Sequence, residues 1–243
     1  MVISNGQPAS VIWDYDRVEL IADGVVHAIG VSLGVVGAIV IVVVAANSAH
    51  AANMPSIVIY TVGLLSMLGF SAAYNTWPIS QAKWVLRRFD HSAIYVMIAG
   101  TYTAFIGSMK GDFVSIGLLI GVWLTAVVGA TLKLLLPGRF DRLAVFLYLI
   151  LGWSGVVVYE PVAAALPNLS IWLLVAGGAL YSAGIVFHGW QSLRFQNAIW
   201  HGFVVVARML SLFGHSLLCG LRASLIPCGQ NIGLRLLSLR SRI

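Results

Sequence analysis

From Gly24 to Ala46 the chain runs without a single Asp, Glu, Lys or Arg, and this stretch decides what the rest can be. A helix needs about 20 predominantly apolar residues to cross the hydrocarbon core of a bilayer, whereas a signal-peptide core takes only about 7 to 15. The segment before it, Met1 to Ser10, has no basic residue of the kind that opens a signal peptide. The run is therefore predicted to be a retained membrane helix. Composition agrees: 60% of the residues are hydrophobic and 9% charged, against about 25% charged in a soluble domain.

Seven apolar segments follow one another, at about 21–46, 55–76, 91–109, 113–135, 142–160, 169–189 and 197–220. None alternates polar with apolar residues, as the ~10-residue strands of a membrane barrel would. The expected fold is an all-α membrane protein, a seven-transmembrane-helix bundle spanning residues 19–220. A short N-terminal segment (1–18) precedes it and a basic tail (221–243) follows. Pro55, Pro137 and Pro167 are expected in connections.

Loop charge sets the orientation. Lys83, Arg87 and Arg88 lie between the second and third segments, Arg139 and Arg142 at the fourth-to-fifth connection, and Arg194 between the sixth and seventh. The loops on the other side offer only Lys110. The N-terminus is predicted to be cytoplasmic and the C-terminus outside, with the protein in the cell (inner) membrane. With that parity His27, Ser71, Asn75, Asp90, His188, Asn197 and His201 all fall in the cytoplasmic half. Polar groups at membrane depth are costly unless they face each other or water, so this layer is the candidate site. Ser71 with Asn75, and Asn197 with His201, are four residues apart and share helix faces; Glu19, Asp23 and His27 repeat that interval. The competing reading is that such residues only bond helix to helix.

The chain carries Glu19 with Asp-Gly-Val-Val-His (Asp23 to His27), Ser-Ala-Ala-Tyr-Asn (Ser71 to Asn75) and Arg-Arg-Phe-Asp-His-Ser-Ala-Ile-Tyr (Arg87 to Tyr95). It continues with Ile-Ala-Gly-Thr-Tyr-Thr (Ile98 to Thr103), Leu-Gly-Trp-Ser-Gly (Leu151 to Gly155) and Asn-Ala-Ile-Trp-His (Asn197 to His201). In this order these segments resemble the hemolysin III branch of the progestin and adipoQ receptor family. The resemblance implies seven helices with a cytoplasmic N-terminus. It also implies a zinc ion held by one His of the second helix and two of the seventh, an Asp of the third helix holding a water, and hydrolysis of lipid amides such as ceramide. Carried onto this sequence, Asp90 and Ser71 take the catalytic positions, and Asn75, Asn197 and His201 the metal positions.

Two of those three metal positions hold Asn, a poor zinc ligand beside imidazole; His27 is a substitute ligand within reach of the same layer. Three functions follow from the resemblance: a polar site that binds a lipid or reports on the membrane, a zinc-dependent lipid amide hydrolase, and a pore. No helix carries the repeated polar face of a channel lining. Membrane lipids are the expected partners, and the net charge of +6 reflects loops and tail rather than nucleic-acid binding. Cys219 and Cys228 are expected to be free thiols.

The ending departs from the resemblance as well. Arg208 would sit inside the last helix, and Arg222, Arg235, Arg240 and Arg242 follow on the predicted outer side. A one-nucleotide shift of reading frame near Ala207 would account for these, as would a genuine basic tail attracted to anionic headgroups by about 1 kcal/mol per residue.

Overall fold

The computed structural model describes residues 15–47, 54–107, 113–136, 138 and 140–225. The helices among them are α1 (Arg17–Ala46), α2 (Met54–Thr76), α3 (Gln81–Ile106), α4 (Phe113–Leu135), α5 (Asp141–Trp153), α6 (Tyr159–Ala165), α7 (Asn168–Gly189) and α8 (Gln196–Leu225). A 3₁₀ turn, Ser154–Val158, joins α5 to α6. Arg139 and Lys110, Trp13 and Pro137, Cys228 and the tail from 226 lie outside the described residues, as does the side chain of Cys219.

Five helices are long and apolar enough to cross a membrane: α1, α2, α4, α7 and the Gln196–Leu217 part of α8. The third and fifth expected segments are drawn differently. The basic connection expected before residue 91 is largely helical, because Ser80 caps α3 by accepting from the Lys83 amide. Lys83, Arg87, Arg88 and Asp90 therefore lie within α3 rather than at its mouth. The fifth segment breaks at Trp153, where Leu-Gly-Trp-Ser-Gly passes into the 3₁₀ turn. Pro55 sits in the first turn of α2 rather than in a connection, at a position where its missing N–H costs no helical bond. Pro167 does lie in a connection, as the residue before α7.

α1 shows how the sequence sorts its faces. Its buried residues are Asp23, His27, Gly30, Gly34, Ala38, Ile41 and Ala45, a stripe at helical spacing. The opposite face presents bare apolar groups such as Val36 and Ile39, both 59% exposed, as a lipid-facing surface requires. The core behind the stripe is Ile41, Tyr60, Leu64, Met67, Met97 and Leu212.

α2 and α3 touch backbone to backbone. A Cβ on Gly63 would lie 3.3 Å from Met97 Cα, and one on Gly100 would lie 3.3 Å from the Ile59 carbonyl oxygen. α3 is tied onward to α4 by Ser92 Oγ donating to the Ala130 carbonyl (3.1 Å), and to α5 by Tyr148 Oη donating to the His91 carbonyl (2.9 Å). α7 is held on α8 by Ser170 Oγ donating to the Gly214 carbonyl, 2.9 Å. Such side-chain bonds supply part of the association that apolar burial cannot supply in lipid.

At the end of the bundle where α3 and α5 begin, Asp141 collects two buried cations. Arg87 donates to it at 2.8 Å and Lys133 Nζ donates to its other oxygen. Burial alone would raise the Asp141 carboxyl, but Arg87 and Lys133 outweigh it and hold the group at about 2, below its ordinary 3.8. A depressed folded-state pKa contributes stability above the ordinary value and loses it as pH falls through the folded value. Asp141→Asn should therefore lower the thermal midpoint at neutral pH, and the gap from the parent should close between about pH 4 and pH 2. Thermal unfolding in detergent across that range checks it; a constant gap would mean the carboxylate's charge is irrelevant.

Candidate functional site

The site is assembled by a latch between the first turn of α1 and the entry to α8. Asp16 caps α1 by accepting from the Glu19 amide (2.8 Å), while Glu19 Oε2 accepts from the Asp16 amide (3.0 Å), the reciprocal arrangement of a capping box. The second oxygen of Glu19 accepts from the Phe195 amide at 2.9 Å. Phe195 adopts a left-handed conformation, φ 62°, and Arg194 beside it donates to Asp16 at 3.2 Å. One turn further into α1 stand Asp23 and then His27, while α8 carries Asn197 in its first turn, two residues past Phe195, and brings His201 one turn on.

Asp23 is the centre of the cluster and only 4% exposed. Its Oδ1 accepts from His201 Nδ1 at 2.6 Å and its Oδ2 from Asn197 Nδ2 at 2.9 Å. Its backbone carbonyl accepts from His27 Nδ1 at 2.8 Å. That bond assigns the His27 proton to Nδ1 and leaves Nε2 to accept from Ser71 Oγ, 3.2 Å away. The His27 and His201 rings meet edge to face with centroids 4.3 Å apart.

α2 and α3 close the other side. Asn75 Oδ1 accepts from Asn197 Nδ2 (3.0 Å), and Asn75 Nδ2 donates to the Ser71 carbonyl (2.9 Å). Asp90, 8% exposed, approaches Ser71 and stands within electrostatic reach of His201, Arg87 and Asp23. Lys83 Nζ donates to the Trp77 carbonyl at 2.9 Å and to that of Asn75 at 3.4 Å, covering the end of α2.

The structure thus brings together Ser71, Asn75, Asp90, Asn197, His201 and His27. His188 instead packs its ring on Trp200, centroids 5.1 Å apart. The residue missing from the sequence-derived site is Asp23. Its four-residue spacing to His27 was visible, but the partners that make it central lie on α8, far along the chain.

Asp23, His27 and His201 are buried and their ligand atoms all lie within 4.8 Å of one another, a group that can hold a metal ion. The donor chemistry fits. Two imidazoles and a carboxylate are a known set for a three-ligand metal site with an open position. The His27 Nδ1 bond to a backbone carbonyl is the support that a metal-binding imidazole ordinarily has. The two Asn residues, by contrast, bond to each other.

Comparison with known proteins gives one consistent answer. The family described as "Haemolysin-III related" matches residues 19–212. The chain is 38% identical to a "Hemolysin-3 homolog" of Bacillus subtilis (strain 168), over 77% of this chain and 88% of that protein. It is 32% identical to "Hemolysin-3" of Bacillus cereus, over 80% and 89%. It is 27% identical to the human "Monocyte to macrophage differentiation factor", over 61% and 64%. No solved structure matches.

The latch generates a prediction. Glu19→Ala removes two accepting oxygens and should destabilise the protein by about 1 to 2 kcal/mol, read as a lower thermal midpoint. Glu19→Gln keeps one accepting oxygen and should recover part of the loss; no difference between the two variants would contradict the latch.

Proposed function

This chain belongs to the haemolysin-III related family, and from that premise we propose that it binds the polar head of a membrane lipid in its buried cluster and reports on the state of the membrane. In this reading it is a seven-helix protein of the cell membrane, with α3 and the interrupted α5–α6 run as the remaining crossings and the N-terminus in the cytoplasm. The loop charges support that orientation.

The observation that carries the reading is the cluster itself. Asp23, His27, Ser71, Asn75, Asp90, Asn197 and His201 come from α1, α2, α3 and α8 and meet inside the bundle. Ionisable groups there are expensive and mark sites of function. The site offers carboxylate oxygens of Asp23 and Asp90 as acceptors together with the Ser71 hydroxyl, bonded to His27 Nε2 at 3.2 Å, as a donor that a bound group can take over. A hydroxyl or amide of a lipid head can be matched by such a set on both its donor and its acceptor atoms.

A second reading, hydrolysis of a lipid amide, is favoured by the Asp23, His27 and His201 group. When bound there, a metal such as zinc would supply a hydroxide from water at neutral pH. Of the chain's own residues, His27 and His201 would hold it through ring nitrogens and Asp23 through its carboxylate. Asp90 can hold a proton beside Ser71 Oγ, and Ser71 can donate to a carbonyl oxygen placed against it.

Native mass spectrometry of the gently solubilised chain tests the first reading. We expect retained lipid in the parent and loss of it in the Ser71→Ala, Asp90→Asn double variant; a lipid-free parent, or equal retention, would contradict it. Metal analysis tests the second. One equivalent of zinc per chain, abolished by His27→Ala, would support it, and binding unchanged by that substitution would refute the ligand set.

A further inference from the structure

Arg87, Arg88 and Lys133 gather where α3 passes the end of α4 and the start of α5. Arg87 and Lys133 close on Asp141. Arg88 instead donates from Nη1 to the Leu134 carbonyl at 3.3 Å. Its Nε is buried without a hydrogen-bond partner, and among the described residues Arg88 forms no ion pair. Asp90, a second carboxylate within electrostatic reach of Arg87, faces Ser71 in the polar cluster. Even with Asp90 counted, these cations outnumber the two carboxylates beside them, and a guanidinium left with unmatched donors is incomplete without an anion.

The start of α5 adds positive character of its own. Phe140, the residue before it, has a left-handed backbone, φ 59°, and supplies no side-chain cap. The first-turn amides of this 13-residue helix are therefore open to an acceptor from elsewhere, and a helix N-terminus favours anionic oxygens. The Asp141 side chain is 39% exposed, so the junction opens to the outside of the bundle. Beside that opening Leu132 and Leu135 on α4, Phe140, and Leu143 on α5 are exposed, a surface suited to acyl chains. Loop charge puts this end at the cytoplasmic face. Fixed positive charge at headgroup level, bordered by bare apolar side chains, describes the place of a charged lipid rather than of a free ion.

We propose that the junction of α3, α4 and α5 binds the phosphate of an anionic glycerophospholipid from the cytoplasmic leaflet, with Arg88 as its principal partner and the acyl chains against Leu135 and Phe140. Guanidinium and phosphate pair through parallel N–H donors. Arg87 and Lys133, shared with Asp141, add to the attraction at longer range. A zwitterionic head suits the junction less well, because its ammonium group meets the same excess of positive charge. Each basic residue near the membrane surface is worth about fivefold in affinity for anionic lipid, which sets the scale of the effect. This site is separate from the polar cluster and does not depend on its proposed role.

The test is native mass spectrometry of the full chain in detergent, titrated with dioleoyl phosphatidylglycerol or dioleoyl phosphatidylcholine, and repeated with inorganic phosphate as competitor. Phosphatidylglycerol is expected to bind about fivefold more tightly than phosphatidylcholine or better. Arg88→Gln should remove most of that preference. Arg194→Gln, which deletes an exposed cation of the same face, should keep it, as should the Ser71→Ala, Asp90→Asn variant. Equal binding of the two lipids would overturn the proposal on the parent alone, whether or not Arg88→Gln folds. So would a preference undiminished in Arg88→Gln, or one lost equally in Arg194→Gln, which would make the attraction diffuse. Inorganic phosphate displacing phosphatidylglycerol as well as the lipid displaces itself would overturn the lipid assignment. Loss of the preference only in the Ser71→Ala, Asp90→Asn variant would move the lipid to the polar cluster and overturn this site.

Discussion

The carboxylate of Asp23 is the constraint on which the rest of the site depends. Leaving such a charge unpaired inside a membrane bundle costs several kcal/mol, and on α1 itself the nearest basic group, His27 Nδ1, stays 3.5 Å from Oδ1. The charge is met from α8, by His201 on one oxygen and Asn197 on the other. That requirement fixes the register of the first helix against the last. Glu19 reinforces it one turn earlier by accepting from Phe195. Once α1 and α8 are locked, His27 is placed over Ser71 on α2, and Asp90 on α3 closes the cluster.

The two asparagines acquire a positive role in this arrangement. At Asn75 and Asn197 an imidazole pair would compete for protons and for any metal; the amides instead satisfy each other and the Asp23 carboxylate. The polar centre is thereby displaced toward α1, where Asp23 and His27 join His201. The molecule keeps its charges in separate places for separate reasons. The Arg87, Lys133 and Asp141 group pairs two cations with one carboxylate and holds α3, α4 and α5 together. Among the described residues Arg208 forms no ion pair.

Much of this was legible in the sequence. Apolar length gave the helices, and four-residue spacing put Ser71 with Asn75 and Asn197 with His201 on common faces. The order of motifs gave the family. What escaped is what depends on a distant partner. Residues 81–90 look like a basic loop because charge lowers their hydropathy, yet helix formation follows from the Ser80 cap and from the pairing of Arg87 with Asp141, 54 residues on. The centrality of Asp23 depends on an α8 partner 178 positions away, which no local spacing reveals. His188 has the right depth but the wrong face, and only packing against Trp200 shows it.

The central claim is that Asp23 and His201 form one interacting unit that joins α1 to α8. A double-mutant cycle of Asp23→Ala and His201→Ala on unfolding free energy in detergent measures it most directly. The account predicts a coupling of about 1 kcal/mol or more, because each single change already breaks the shared bond. Additivity to within about 0.5 kcal/mol would contradict it.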